Sequence, residues 1–107
     1  MSGPAGGSRL EAMQAFVQQN PDAPFPRYGL AMELAKAQRF DEALAQFAEL
    51  VSRNPDYVGT YYQYGMLLAQ LDRRDEARQA FEDGIRVSAA KGDAHTQSEL
   101  QTALSQL

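Results

Sequence analysis

The residues of this chain best equipped to move a proton are one histidine, His95, and two acidic pairs, Asp41-Glu42 and Asp75-Glu76. A lone imidazole works as a general acid or base only where a partner and a pocket hold it. His95 instead stands close to Asp93 and Thr96 in a polar stretch, the setting of a surface or capping residue. Each acidic pair precedes an apolar run, where carboxylates answer the positive end of a helix rather than act on a substrate. Ser88 and Ser98 have no base beside them, and the chain has no cysteine, so thiolate and disulfide chemistry are ruled out. One histidine without clustered carboxylates gives no metal-ligand set. Gly3, Gly6 and Gly7 follow no strand and lead to no Lys-Ser/Thr ending, which excludes a phosphate loop. The chain is therefore expected to have no catalytic, cofactor-binding or metal-binding residues.

The bulk of the sequence narrows the classes further. Its 107 residues are about one domain in length, and its net charge of -4 repels a phosphate backbone. Basic residues are scattered singly except for Arg73-Arg74, so no nucleic-acid partner is expected. No run approaches the roughly 18 apolar residues of a membrane span. The first eight residues have no basic segment leading into an apolar one, so no signal peptide is read and the cytoplasm is the default location. The Gly, Ser and Pro content of residues 1–7 reads as a flexible tail outside the fold.

The elements that position the remaining side chains show through a repeat. Asn20-Pro21-Asp22 returns as Asn54-Pro55-Asp56, 34 residues later. The same offset relates Tyr28 to Tyr62, Met32 to Met66, Arg39 to Arg73, Asp41-Glu42-Ala43 to Asp75-Glu76-Ala77, and Phe47 to Phe81. A series holding one register is the mark of a helix-turn-helix unit stacked on its neighbours. Apolar spacing within each unit is helical: Leu30, Leu34 and Ala37 share one stripe, and Ala43, Leu44, Phe47, Leu50 and Val51 share another. Six helices are predicted, over residues 8–19, 25–38, 41–53, 58–71, 75–91 and 93–106. Asp22 and Asp56 are placed to cap helix starts, and Pro24 and Pro26 fall in a first turn. Leu10, Met13, Phe16 and Val17 stand 34 before Leu44, Phe47, Leu50 and Val51, so the first helix is expected to be the second half of a truncated unit. Gly92 suits a left-handed helix end and Asp93 a new start, and the last helix has an apolar face of Leu100, Ala103, Leu104 and Leu107 to cover the flank of the last repeat.

These residues resemble the tetratricopeptide repeat family, in its small bacterial form. The family's small–small contact, second-helix aromatic and closing proline are matched by Ala31, Ala43, Phe47 and Pro55, then by Gly65, Ala77 and Phe81. The resemblance covers residues 8–91. It implies an all-α, right-handed α-α superhelix: a half repeat at 8–23, repeats at 24–57 and 58–91, and a capping helix at 92–107. Two departures stand out. Arg27 occupies a place where a large aromatic is usual, consistent with an exposed flank, and Gly84 and Ala89 replace a late small residue and a closing proline, freeing that helix to run on.

The resemblance also implies a concave groove lined by first helices that holds a peptide or protein segment. Its expected lining is Phe25, Tyr28, Met32 and Lys36, with Ala35, and then Tyr62, Met66 and Gln70, with Gly59 and Ala69. Tyr28 with Met32, and Tyr62 with Met66, each share one helix face at a spacing of four. A helix apolar on two faces needs two partners, and the second here is the end helix, a twin subunit or a ligand segment. The carboxylate clamp of some family members needs Lys, Arg and Asn on these faces; only Lys36 offers charge, so that function is not expected. The chain therefore reads as an adaptor that binds protein or peptide without a cofactor. The alternatives are a homo-oligomerisation module or an accessory or chaperone subunit of a larger complex.

Overall fold

The computed structural model describes residues 5–107, with side chains from residue 9 onward. Residues 1–4 of the expected tail lie outside the described residues, whereas residues 5–7 already belong to the first helix. The described residues form six helices and no strand: α1 (Ala5–Gln19), α2 (Pro24–Lys36), α3 (Phe40–Arg53), α4 (Gly59–Gln70), α5 (Arg74–Lys91) and α6 (Ala94–Ser105). They group into two compact units, α1–α3 and α4–α6, divided between Arg53 and Asn54.

Three of the turns close in the same way. At the end of α2 the Gln38 amide donates to Ala35 O and the Arg39 amide to Leu34 O, both near 3 Å, with Gln38 left-handed at φ 63°. Asp72, at φ 61°, repeats this after α4, with bonds to Ala69 O and Leu68 O in the same order. Gly92, at φ 73°, repeats it after α5. These paired bonds satisfy the carbonyls that a helix end leaves open. Glycine adopts this conformation freely; Gln38 and Asp72 adopt it against the crowding of a Cβ. Each of the first two turns is followed by an arginine clasp. Arg39 holds Glu42 through two bonds of 2.7 Å, and Arg73 holds Glu76 through bonds of 2.7 and 2.9 Å. These bonds hold the Glu42 and Glu76 carboxyls below their ordinary range.

The helix starts depart from expectation at two places. Asp22 does not cap α2: Ala23 takes the N-cap position without a side-chain bond, and Asp22 meets Arg53 Nη1 at 2.9 Å. Pro24 and Pro26 lack amide hydrogens, so the first turn has fewer donors for a cap to satisfy. Asp56 does not cap α4 either. Tyr57 and Val58 carbonyls accept from the Thr60 and Tyr61 amides, filling that role from the backbone. Asp93 does cap α6, accepting from the Thr96 amide at 3.1 Å and its hydroxyl at 2.7 Å. Those bonds, the hydroxyl's foremost, depress the Asp93 carboxyl.

Each unit has its own core. In the first, Leu30, Ala31 and Leu34 of α2 meet the α3 face that carries Ala43, Phe47 and Leu50, and none of the six is more than 1 % exposed. In the second, α4 lays Tyr61, Gly65 and Leu68 on the α5 face that carries Ala77, Phe81 and Gly84. Burying a Leu- or Phe-sized side chain is worth about 1.5–3 kcal/mol. Small residues set the helix spacing: a Cβ on Gly65 would lie 2.3 Å from the Phe81 ring, and one on Gly84 would lie 2.5 Å from Tyr61 Cβ. α6 packs on both α4 and α5, with Leu100 fully buried.

α5 runs 18 residues against 14 for α3, as the loss of the closing proline suggests. Two stripe assignments fail. Ala37 is exposed because α2 stops at Lys36. Phe16 is 54 % exposed although its counterpart Leu50 is wholly buried, because no described helix lies over that side of α1.

Candidate functional site

In the first unit, α2 presents Phe25, Tyr28, Met32 and Lys36, but not as one row. Phe25 is 72 % exposed, Tyr28 and Met32 are half-buried, and Lys36 is exposed at the helix end. Phe25, Pro26 and Gly29 line a cleft of about 350 Å³ whose other wall is Ala12, Met13 and Phe16 of α1. Its walls hold no charged or hydrogen-bonding side chain. Phe16 and Met13 were missed as surface residues, because a 34-residue offset matches them to core positions without saying whether a covering helix is present.

In the second unit, Tyr62 and Met66 of α4 form one wall of a cleft of about 270 Å³. Tyr62 is half-buried and Met66 is 44 % exposed. The facing wall is α6 with its C-cap Gln106 and carries His95, Ser98, Glu99, Thr102 and Ala103. α6 therefore borders the Tyr62–Met66 face without sealing it, because it spends Leu100 on the core. His95 is 85 % exposed, 3.5 Å from Glu99 and open to water, as a surface histidine is expected to be. Gln70 is exposed and lies outside this lining. Neither cleft is lined by Lys or Arg.

Arg27 overturns the exposed-flank reading, because it is only 8 % exposed. Its Nη1 donates to Gln46 Oε1 at 2.8 Å and its Nη2 to the Pro21 carbonyl at 3.2 Å. The residue 34 positions later, Tyr61, donates its hydroxyl to the Pro55 carbonyl, the counterpart of Pro21. Arg27 thus reproduces the tyrosine's bond with a longer, charged arm, and its Nε is left buried without a partner. Burial pushes the Tyr61 hydroxyl above its ordinary pKa, with a further contribution from Asp83, and burial does the same to Tyr64.

Among the described residues, no group of three or more His, Cys, Asp or Glu side chains could hold a metal ion. No described helix is long and apolar enough to cross a membrane.

A family model for the tetratricopeptide repeat matches residues 34–107. A tetratricopeptide repeat domain protein from Salinibacter ruber, solved by NMR, is 46% identical with a TM-score of 0.77 over 80% of this chain and 87% of that one. A Bordetella parapertussis protein is 29% identical with a TM-score of 0.75, over 91% of this chain and 84% of that one. The TPR2B domain of yeast Sti1, solved in complex with pHsp70, is 16% identical with a TM-score of 0.84, over 94% of this chain and 80% of that one, a likeness of fold alone. None of the curated proteins compared with the chain matches it. The paired hairpins, the recurring small–aromatic contacts and these matches agree: the chain belongs to the tetratricopeptide repeat family.

Proposed function

We propose that the chain is a non-catalytic adaptor that binds an apolar or amphipathic peptide or protein segment on its first-helix faces. The observation that carries this is the lining of the clefts. Met66 and Tyr62 in one and Phe25 in the other offer apolar and aromatic surface to solvent, and neither lining holds a Lys or Arg. Methionine adapts its shape to a ligand and tyrosine adds a rigid anchor with a polar tip, a pairing suited to a protein segment. Tyr28, Met32 and Lys36 belong with Phe25 to the proposed contact on α2, and Gln70 belongs with Tyr62 and Met66 to that on α4. The Sti1 domain gives a precedent for this fold holding a protein ligand. Recognition through a terminal carboxylate is not favoured, because that ligand needs cations.

Selection from a displayed library of random peptides tests the proposal. The expected output is peptides with spaced apolar residues whose binding survives amidation of the C-terminus. Tyr62→Ala with Met66→Ala should weaken that binding about tenfold or more while helicity stays unchanged. Peptides that bind the double variant as tightly as the parent chain, or that need a free carboxylate, would remove the basis for this reading.

A further inference from the structure

We infer that the cleft between α1 and α2, whose Phe25 is part of the surface proposed above, takes an amphipathic helix from another protein. The chain's own repeat shows what this cleft would hold. Met13 and Phe16 of α1 correspond to Phe47 and Leu50 of α3 and to Phe81 and Gly84 of α5. The α3 pair is covered by α2 and the α5 pair by α4, and all four residues are buried. Among the described residues this face stays open only on α1, with Phe16 54 % exposed and Phe25 of the neighbouring helix 72 % exposed. The surface therefore continues, one period earlier, an interface the chain has already built with a helix.

The seated examples also define the occupant. α2 covers α3 with Arg27, Leu30, Ala31 and Leu34, residues spaced as one helix face with a small residue at the fourth step. On α3, Arg27 is met by Gln46, but the α1 residue at that place is Ala12. The docking face of the incoming helix is thus apolar throughout, small at its centre and uncharged. A second copy of this chain does not fit this description. A stable dimer buries about 1,600 Å² in all, far more than one short cleft flanked by two exposed phenylalanines supplies.

The test uses the full chain and a hydrocarbon-stapled peptide with the sequence of residues 23–38 carrying Arg27→Leu, followed through methionine methyl and backbone NMR signals. Saturable binding is expected to shift Met13, Ala12 and Phe16. Phe16→Glu and Ala12→Lys, both exposed substitutions that leave the fold intact, should each weaken binding at least tenfold. Raising salt from about 50 to about 500 mM should change the affinity less than about twofold, because no charge pair is involved. Tyr62→Ala and Met66→Ala should leave this binding unchanged, which separates it from peptide binding at the Tyr62–Met66 face of α4. Four results would overturn the inference: no saturation by about 1 mM peptide, indifference to both variants, shifts confined to Tyr62 and Met66, or a concentration-dependent doubling of mass that Phe16→Glu abolishes.

Discussion

Replacing Gly84 by alanine adds one methyl group at a backbone-fixed close contact of the second unit. That carbon would lie 2.5 Å from Tyr61 Cβ and 2.8 Å from Leu100 Cδ1. Carbon atoms rest at about 3.5–4.0 Å, so α4 and α5 must part by about 1 Å and Leu100 must also shift. Tyr61 Cβ is fixed to its backbone and cannot swing aside, and Leu100 is wholly buried. The cost should therefore reach the upper part of the usual overpacking range, about 3 kcal/mol. Alanine returns about 1 kcal/mol through helix propensity, leaving a net loss of about 2 kcal/mol. Gly29 is the control, because a Cβ there meets only Met13 Cε at an ordinary 3.6 Å. Gly29→Ala should gain up to about 1 kcal/mol for the same change in propensity. Urea unfolding followed by circular dichroism measures both variants, provided the denaturant slope stays constant. If Gly84→Ala were as stable as the parent chain while Gly29→Ala gained, the close approach of α4 to α5 would be wrong.

Three further perturbations follow from the same packing. Arg27→Tyr should keep the bond to the Pro21 carbonyl while removing a buried charge with an unpartnered Nε, so stability should hold or rise by about 1 kcal/mol; a clear loss would show that the Gln46 bond dominates. Gln38→Gly should stabilise the chain by about 0.5–1 kcal/mol, since the left-handed turn suits glycine and the side chain is exposed; thermal melting reads the difference. Glu42, Glu49, Glu76 and Asp93 all have depressed carboxyls in the folded state, so their contribution is complete above the ordinary carboxylate pKa and is lost as pH falls through the lowered values. A urea midpoint that falls as pH drops below about 4 is expected, and Asp93→Asn should flatten that fall.

The helical plan was legible because period and local chemistry agreed. The 34-residue offset set the hairpins, Gly92 and Asp93 marked the last turn, and the missing proline after α5 foretold its length. What the offset could not supply was context. It matched Phe16 to Leu50, but burial depends on whether another helix lies above, and similarity between positions carries no information about that. Arg27 was misplaced for a related reason. Charge suggested exposure, whereas the long side chain reaches the carbonyl that a tyrosine reaches in the next repeat. Asp22 and Asp56 had capping chemistry, but the N-cap positions of α2 and α4 fall at Ala23 and Val58. Of the expected site, the pairing of Tyr62 with Met66 could be read from spacing. The opposing wall from α6 could not, since nothing in the sequence fixed which face of α4 that helix would border.

Methionine methyl NMR gives the most direct reading of where a ligand sits, because Met32, Met66 and Met13 mark α2, α4 and the α1 cleft separately. Titrating a library-selected peptide into chain labelled at these methyls should shift Met66, Met32 or both strongly and saturably. Tight binding that leaves both methyls unmoved would place the ligand elsewhere and contradict the assignment of the first-helix faces as the protein-binding surface.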